Sequence, residues 1–267
     1  MRAAFITGGS SGIGLALAHQ LAAKGCPIAI FARDASKLQD AVRVLKDAHP
    51  DVVITAHPMD VTDRQAVDRA VAAAIASHGP PGWAVANAGI AEPGEFLSQD
   101  IERHEAQMST NYMGALYFAK AVTPAMIPTG GKLVFVSSGA AFFGIYGYSA
   151  YAPSKFAMRG LAEILRVELK QHGISVTLAY PPDTDTPQLA YELQHKPEIT
   201  KAVTEGGGLW SAENVAQLIV KRAAKGKFAV APGMQMAALL VLHSQIAPAL
   251  RWWQDGLVKR HRKKQSK

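Results

Sequence analysis

Apolar and polar positions follow two periods along most of this chain. Short apolar runs, AAFI (3–6), PIAIF (27–31), VVITAHPM (52–59), GWAVAN (82–87) and KLVFVSS (132–138), have the length of buried strands. Between them, 15–25, 35–49, 64–79 and 104–126 repeat their apolar residues at helical spacing, and a further helix is expected from residue 151. SVTLAYPP (175–182) and KFAVAP (227–232) predict two more strands. Asp34 or Ser36 suits the start of the second helix, Thr62 or Asp63 that of the third, and Gly25 and Gly79 close others. Alternating β and α units predict an α/β fold with a parallel sheet and helices on both faces, in one domain over residues 1–232.

Two stretches break the rhythm. Residues 183–210 are rich in Pro, Gly and polar side chains and lie between two predicted strands. Such an excursion is expected to be a substrate-side lid; an ordinary surface insertion is the plain alternative. Residues 233–267 differ again. An apolar stretch ending at Leu250 is interrupted by Gln235, His243, Ser244 and Gln245, and Trp252, Trp253 and KRHRKK follow it. That order suits an interfacial anchor on anionic lipid. A membrane span and a helix packed on the core or in an oligomer interface are the alternatives.

Charge sharpens the reading of the tail. The chain of 267 residues carries a formal net charge of +7. Residues 251–267 hold seven Lys/Arg and one acid, Asp255, hence +6, which leaves +1 on residues 1–250. The globular part is not basic, so nucleic acid is not an expected partner. Cys26 is the only cysteine, which excludes an intramolecular disulfide and a thiolate cluster and fits a reducing compartment. His57, His104 and His243 lack metal-ligand spacing, and no metal is expected. Only Arg2 precedes the first apolar run, which leads straight into a glycine turn and so predicts a first strand, not a signal peptide.

That turn, TGGSSGIG (7–14), joins a predicted strand to a predicted helix. Glycines there suit positive φ or the close approach of a ligand, and the amides at a helix start favour an anion. It is not a Walker loop, and Gly8, Gly12 and Gly14 do not have GxGxxG spacing. The second strand ends in Phe31-Ala32 followed by Arg33, with Lys37 on the next helix. An acid at that place would hydrogen-bond an adenosine ribose; two cations with the Ser10 and Ser11 hydroxyls suit a 2′-phosphate, favouring NADP(H) over NAD(H).

A second constellation lies in VSSGAAFFGIYGYSAYAPSK (136–155). Tyr151 and Lys155 share a helix face, and a neighbouring ammonium is expected to lower a tyrosine pKa toward the working range. Ser138 ends a predicted strand and can reach the same place. Tyr146 and Tyr148 suit either a substrate entrance or loop packing, and Phe142 and Phe143 either an alkyl chain or the core.

TGxxxGIG, Asn87-Ala88-Gly89, Asn111, Ser138, Tyr151 and Lys155 occur in order at the ends of successive βα units. Over residues 3–187 the chain thereby resembles the short-chain dehydrogenase/reductase family. The resemblance implies a Rossmann-like, doubly wound sheet of about seven strands and hydride transfer with NADPH/NADP+. It implies that Tyr151 is the general acid in reduction, that Lys155 lowers its pKa and binds the nicotinamide ribose, that Ser138 orients the carbonyl, and that Asn111 supports a proton relay through water. Gly8, Ser10, Ser11, Gly12, Ile13 and Gly14 then match the cofactor turn. Asp60-Val61 matches the pair beside the adenine, and Asn87-Ala88-Gly89 the segment under it. The resemblance implies Pro181, Thr184 and Thr186 as further cofactor contacts. A dimer or tetramer through the helices around Asn111 and Tyr151 is also implied.

AYPPDTDTP (179–187) and YAPSKFAMRGLAE (151–163) narrow the resemblance. Most of the family has Pro-Gly where this chain has Pro181-Pro182, and this departure is similar to 3-ketodihydrosphingosine (3-dehydrosphinganine) reductases. That implies NADPH-dependent reduction of a long-chain sphingoid ketone, with peripheral or monotopic membrane association on the cytoplasmic side. A reductase of another lipid-like ketone, a 3-ketoacyl thioester or steroid, is the first alternative. A non-catalytic NADP(H)-binding sensor or scaffold is the second.

Overall fold

The structure, a computed structural model, describes residues 1–265. The side chains of Arg262, Lys264 and Gln265, together with Ser266 and Lys267, lie outside the described residues, and with them part of the expected basic tail. Six strands recur along the first two-thirds of the chain: β1 (Ala4–Thr7), β2 (Ile28–Ala32), β3 (Ile54–Pro58), β4 (Trp83–Ala86), β5 (Gly131–Val136) and β6 (Ile174–Ala179). Helices α1 (Gly12–Ala22), α2 (Ala35–Ala48), α3 (Arg64–His78), α4 (Ile101–Met108), α5 (Gly114–Met126) and α6 (Tyr151–Glu168) connect them. Then come β7 (Thr184–Asp185), α7 (Pro187–His195), α8 (Glu198–Thr204), β8 (Trp210–Ser211), α9 (Ala212–Ala224), β9 (Ala229–Val230) and α10 (Gly233–Gln265).

Among the described residues, β3-β2-β1-β4-β5-β6-β9 form one parallel sheet, and β7 pairs with β8 apart from it. The period of two along each strand decides which face a side chain covers. Ala4, Ile6, Ile28 and Ile30 meet Leu17 and Leu21 of α1, Leu38 and Leu45 of α2, and Ile219 of α9. Phe5, Phe31, Leu133 and Phe135 meet Val71 of α3, Phe118 and Val122 of α5, and Met158 of α6. Each large apolar side chain buried in these layers contributes about 1.5–3 kcal/mol. The sheet is therefore doubly wound, as expected.

Asp34 and Asp63 are the caps realised, accepting from the Lys37 and Ala66 amides at 3.0 and 3.1 Å. Three elements differ from expectation. In KFAVAP the strand is confined to Ala229 and Val230, in register with Leu178 and Ala179, while Phe228 O accepts from the Leu178 amide at 2.6 Å. The helix expected over 104–126 starts at Ile101 and passes through a π-helical turn at Ser109–Met113, which a continuous apolar period hides. The polar stretch 183–210 is ordered into β7, α7, α8 and β8.

Candidate active site

Strand order reverses on either side of β1, which lies between β2 and β4. The crevice beyond the carboxyl ends of such a pair is where a doubly wound sheet binds a ligand. TGGSSGIG leaves β1 and Asn87-Ala88-Gly89 leaves β4 at this point. Thr7 Oγ1 accepts from the Asn87 and Ala88 amides at 3.0 Å each, and Asn87 Nδ2 donates to the carbonyls of Thr7 and Gly8 at 3.0 and 3.3 Å. The Asn87 side chain thus clamps the glycine turn to β4. Gly14 permits a close approach inside the turn, because a Cβ there would stand 2.1 Å from the Gly8 carbonyl oxygen.

Ser11 stands at the N-cap of α1 with extended backbone, its hydroxyl makes no capping bond, and no acid occupies the first turn. The opening amides and positive end of α1 therefore face the cleft without a protein anion against them. This arrangement fits a pyrophosphate. Arg33, exposed directly after β2, lies in the neighbouring strand connection, since the Gly8 amide donates to Phe31 O at 2.7 Å. The acid that follows it, Asp34, is committed to capping α2. Lys37 is exposed and pairs with Asp34 at 3.9 Å. Asp60 accepts from the amide and hydroxyl of Thr62, both at 2.8 Å, and Val61 is buried against Gly114.

The reacting end assembles from three segments. Ser138 follows β5 and accepts from the Ala140 amide at 3.1 Å. Tyr151 and Lys155 occupy the first turns of α6, both buried. Lys155 Nζ lies 5.6 Å from the centre of the Tyr151 ring and donates to Val136 O at 3.2 Å. Burial is the largest influence on both groups. It holds the Lys155 ammonium down at about 8 and pushes the Tyr151 phenol up; the Glu192 carboxylate adds to the latter and a hydrogen bond with Ser138 opposes it. The expected lowering of the Tyr151 pKa by Lys155 is therefore reversed in direction. Desolvation of the phenolate is the largest cause, and the Ser138 hydrogen bond, not the desolvated Lys155 ammonium, is what acts against it.

Asn111 is buried and its side chain is a staple. Oδ1 accepts from the Ile90 amide at 2.8 Å, and Nδ2 donates to Ile90 O and to Ser154 Oγ at 2.9 Å each. Both amide hydrogens are engaged, so the loop after β4 and α6 are locked together through this residue. Oδ1 and Lys155 Nζ both approach Gly89, 3.0 and 3.4 Å from where its Cβ would be.

A cavity of about 530 Å3 joins these parts. Gly8, Ser10, Ser11, Gly12, Ile13, Asn87, Ala88, Gly89, Ser138, Tyr151, Lys155, Pro181, Thr184 and Thr186 line it; Gly14, Arg33, Lys37, Asp60, Val61 and Asn111 lie outside its lining. Thr184 donates to Pro182 O, and Thr186 caps α7 by accepting from the Leu189 amide at 3.2 Å. The far wall comes from 183–210 and from α10, whose Met236, Leu239, Ile246, Leu250 and Trp253 face inward. Gln254 ties α10 down, donating to Gly144 O at 2.9 Å and accepting from the Tyr146 amide at 3.2 Å.

Sequence reasoning missed a charged cluster in that wall. Lys196 Nζ, fully buried, donates to both carboxylate oxygens of Asp183 at 3.1 and 3.0 Å and lies 3.7 Å from Glu192. Glu192 accepts from the Tyr148 hydroxyl at 2.9 Å and from Gln188 at 3.1 Å. The signal for the helix was present: Thr186-Pro187 is a capping residue followed by proline in the first turn. It puts Glu192 and Lys196 one turn apart on a common face.

The family model for short chain dehydrogenases matches residues 2–197. A 3-dehydrosphinganine reductase of Danio rerio is 40% identical over 247 residues, covering 91% of this chain and 74% of the relative. A 3-ketodihydrosphingosine reductase of Bos taurus is 38% identical with the same coverage. Among solved structures, an alcohol dehydrogenase of Thermococcus sibiricus complexed with 5-hydroxy-NADP superposes with a TM-score of 0.74 at 25% identity, over 86% of this chain and 94% of that one. The glycine turn at the switch point, the buried Tyr151–Lys155 pair and a match across nearly three-quarters of its length agree: this chain belongs to the short chain dehydrogenase family.

Proposed function

We propose that this chain reduces the 3-keto group of a long-chain sphingoid base to the alcohol, with NADPH as electron donor. The observation that carries this reading is the lining of the cavity. Ser138, Tyr151 and Lys155 share it with apolar Phe143, Leu239, Ile246, Leu250 and Trp253, side chains suited to an alkyl chain. The similarity to 3-dehydrosphinganine reductases supports the choice of substrate.

The nicotinamide, when bound, supplies the hydride. The amides at the start of α1 would hold the pyrophosphate, with Ser10 and Ser11 beside it. Arg33 and Lys37 would bind the 2′-phosphate, and Asp60, Val61 and Asn87–Gly89 would form the adenine side. Tyr151 donates its proton to the carbonyl oxygen. Its raised pKa keeps it protonated at neutral pH, the form that a general acid needs. Ser138 donates a second hydrogen bond to the same oxygen, and the Lys155 charge offsets the phenolate left behind. Asn111 fixes the position of α6 relative to the loop under the cofactor.

The test is NADPH oxidation by the purified chain with 3-ketodihydrosphingosine in mixed micelles, beside a 3-ketoacyl thioester. Turnover of the thioester alone would overturn the substrate assignment. In the same assay Arg33→Ala is expected to raise the KM for NADPH about 10- to 100-fold, the worth of a charge-assisted phosphate contact, while NADH changes little. Equal losses for the two cofactors would remove the 2′-phosphate role.

Residues 183–210 act as the lid over this cavity, and α10 is the membrane-facing element. Among the described residues Gly233–His261 is long and apolar enough to cross a membrane by length and composition, its most apolar 18-residue window having a mean hydropathy of 1.2. Its side chains form two apolar stripes. At about 100° per residue, Met234, Val241 and Trp252 fall within about 20° of one another, and the inward-facing set centres about 140° away. The inner stripe closes the cavity; the exposed outer stripe is the surface assigned to lipid. Val241→Asp combined with Trp252→Ser is expected to weaken co-sedimentation with anionic phospholipid vesicles by more than about tenfold, since each buried apolar side chain is worth about 1.5–3 kcal/mol. Undiminished sedimentation would refute an interfacial role for that stripe.

A further inference from the structure

Glu192 stands in the cavity wall beside the reacting end, on the lid and not on the catalytic helix. Its carboxylate is almost fully enclosed, yet its protein cation is shared on unequal terms. Lys196 makes two short bonds to Asp183 and reaches Glu192 only at 3.7 Å. The remaining partners of Glu192, Tyr148 and Gln188, are neutral. Within the lid cluster two carboxylates therefore face one ammonium. The other titratable groups toward this side are Tyr148, Tyr151 and Lys155, of which only Lys155 is cationic, and it is turned to Val136 O.

The position relative to the chemistry is specific. Tyr148 donates to Glu192 at 2.9 Å, and the Tyr148 and Tyr151 rings meet edge to face with centres 5.2 Å apart. A ketone whose oxygen is held by Tyr151 thus has the Tyr148–Glu192 edge beside it, on the side open to the carbon α to the carbonyl. A sphingoid ketone carries its amino group on that neighbouring carbon. Resting on the function proposed above, we propose that Glu192 is a specificity residue whose carboxylate, steadied by Tyr148 and Gln188, receives the ammonium group adjacent to the reacting ketone. Burial alone pushes the Glu192 carboxyl up and Lys196 pulls it back. A second ammonium would act in the same sense as Lys196, so binding of the amine and ionisation of Glu192 reinforce each other. A 3-ketoacyl thioester or steroid offers no cation here and would leave the enclosed charge with only its 3.7 Å share of Lys196, a device for rejecting ketones of similar length.

The experiment compares kcat/KM for 3-ketodihydrosphingosine and for the same ketone without its amino group, using the full chain at saturating NADPH. The wild-type chain is expected to prefer the amine by about 10- to 100-fold, the usual worth of a charge-assisted hydrogen bond. Glu192→Gln is expected to abolish that preference, lowering kcat/KM for the amine mainly through KM and leaving the deamino ketone within about threefold. Equal wild-type rates for the two ketones would overturn the subsite without any variant and leave the proposed reaction standing. Equal loss on both ketones in Glu192→Gln would make the residue a structural support, also against the proposal. Reduction of a 3-ketoacyl thioester with neither long-chain hydroxyketone accepted would instead remove the functional reading and the subsite together.

Discussion

Tyr151→Phe is expected to lower turnover of 3-ketodihydrosphingosine by about 10²- to 10⁴-fold, the range spanned by loss of a positioned general acid. The change removes one oxygen and little else. The ring keeps its edge-to-face packing on Tyr148 and its place in the first turn of α6. The glycine turn and the start of α1, to which the proposed function assigns the pyrophosphate, are untouched, so NADPH affinity measured by calorimetry should stay within a few-fold of wild type. A variant that turns over at the wild-type rate would show that the proton comes from elsewhere. Ser138, which shares the carbonyl oxygen in this account, would then be the residue to examine.

Gly14→Ala tests the other half of the site. The added methyl group would stand 2.1 Å from Gly8 O and 2.5 Å from Asn87 Nδ2. The first of these is backbone and cannot rotate away. Either α1 withdraws from the turn or the turn withdraws from β4, and both routes break the Asn87 clamp. We expect loss of measurable NADPH binding and destabilisation by about 1–3 kcal/mol, the cost of overpacking a closed contact, read by chemical unfolding. Gly160→Ala is the control. Gly160 lies within α6 with nothing near its missing Cβ, and the change should stabilise the chain by up to about 1 kcal/mol through helix propensity. Wild-type affinity in Gly14→Ala would mean that the turn accommodates a side chain after all.

What could be read from the residues and what could not divides along a physical line. The strands β1 to β6, the caps at Asp34 and Asp63 and the meeting of Ser138 with Tyr151 and Lys155 follow from local periodicity and from chain order around a parallel sheet. Glu192, Lys196 and Asp183 come together across a helix that a Pro- and Gly-rich stretch concealed, and Tyr148 reaches them from 44 residues away. No local pattern states that contact. The π-helical turn at Asn111 is hidden for the opposite reason: its apolar spacing continues without a break. The Tyr151 phenol is raised where the sequence predicts lowering, because adjacency to Lys155 is visible in the residues and enclosure is not. Likewise α10 reads as apolar without a preferred side, since one stripe faces the cavity and the other faces outward.

The order of segments around the cavity has a consequence for how such a protein changes over generations. Cofactor turn, acid and lysine all precede residue 156, whereas Glu192, Lys196 and the inner stripe of α10 follow β6. Under the proposed function, the proton-transfer residues and most of the choice of substrate are thus written on successive stretches of one chain. Substitutions beyond Thr186 would redraw which ketone is admitted while the residues assigned to the cofactor and the proton stay whole.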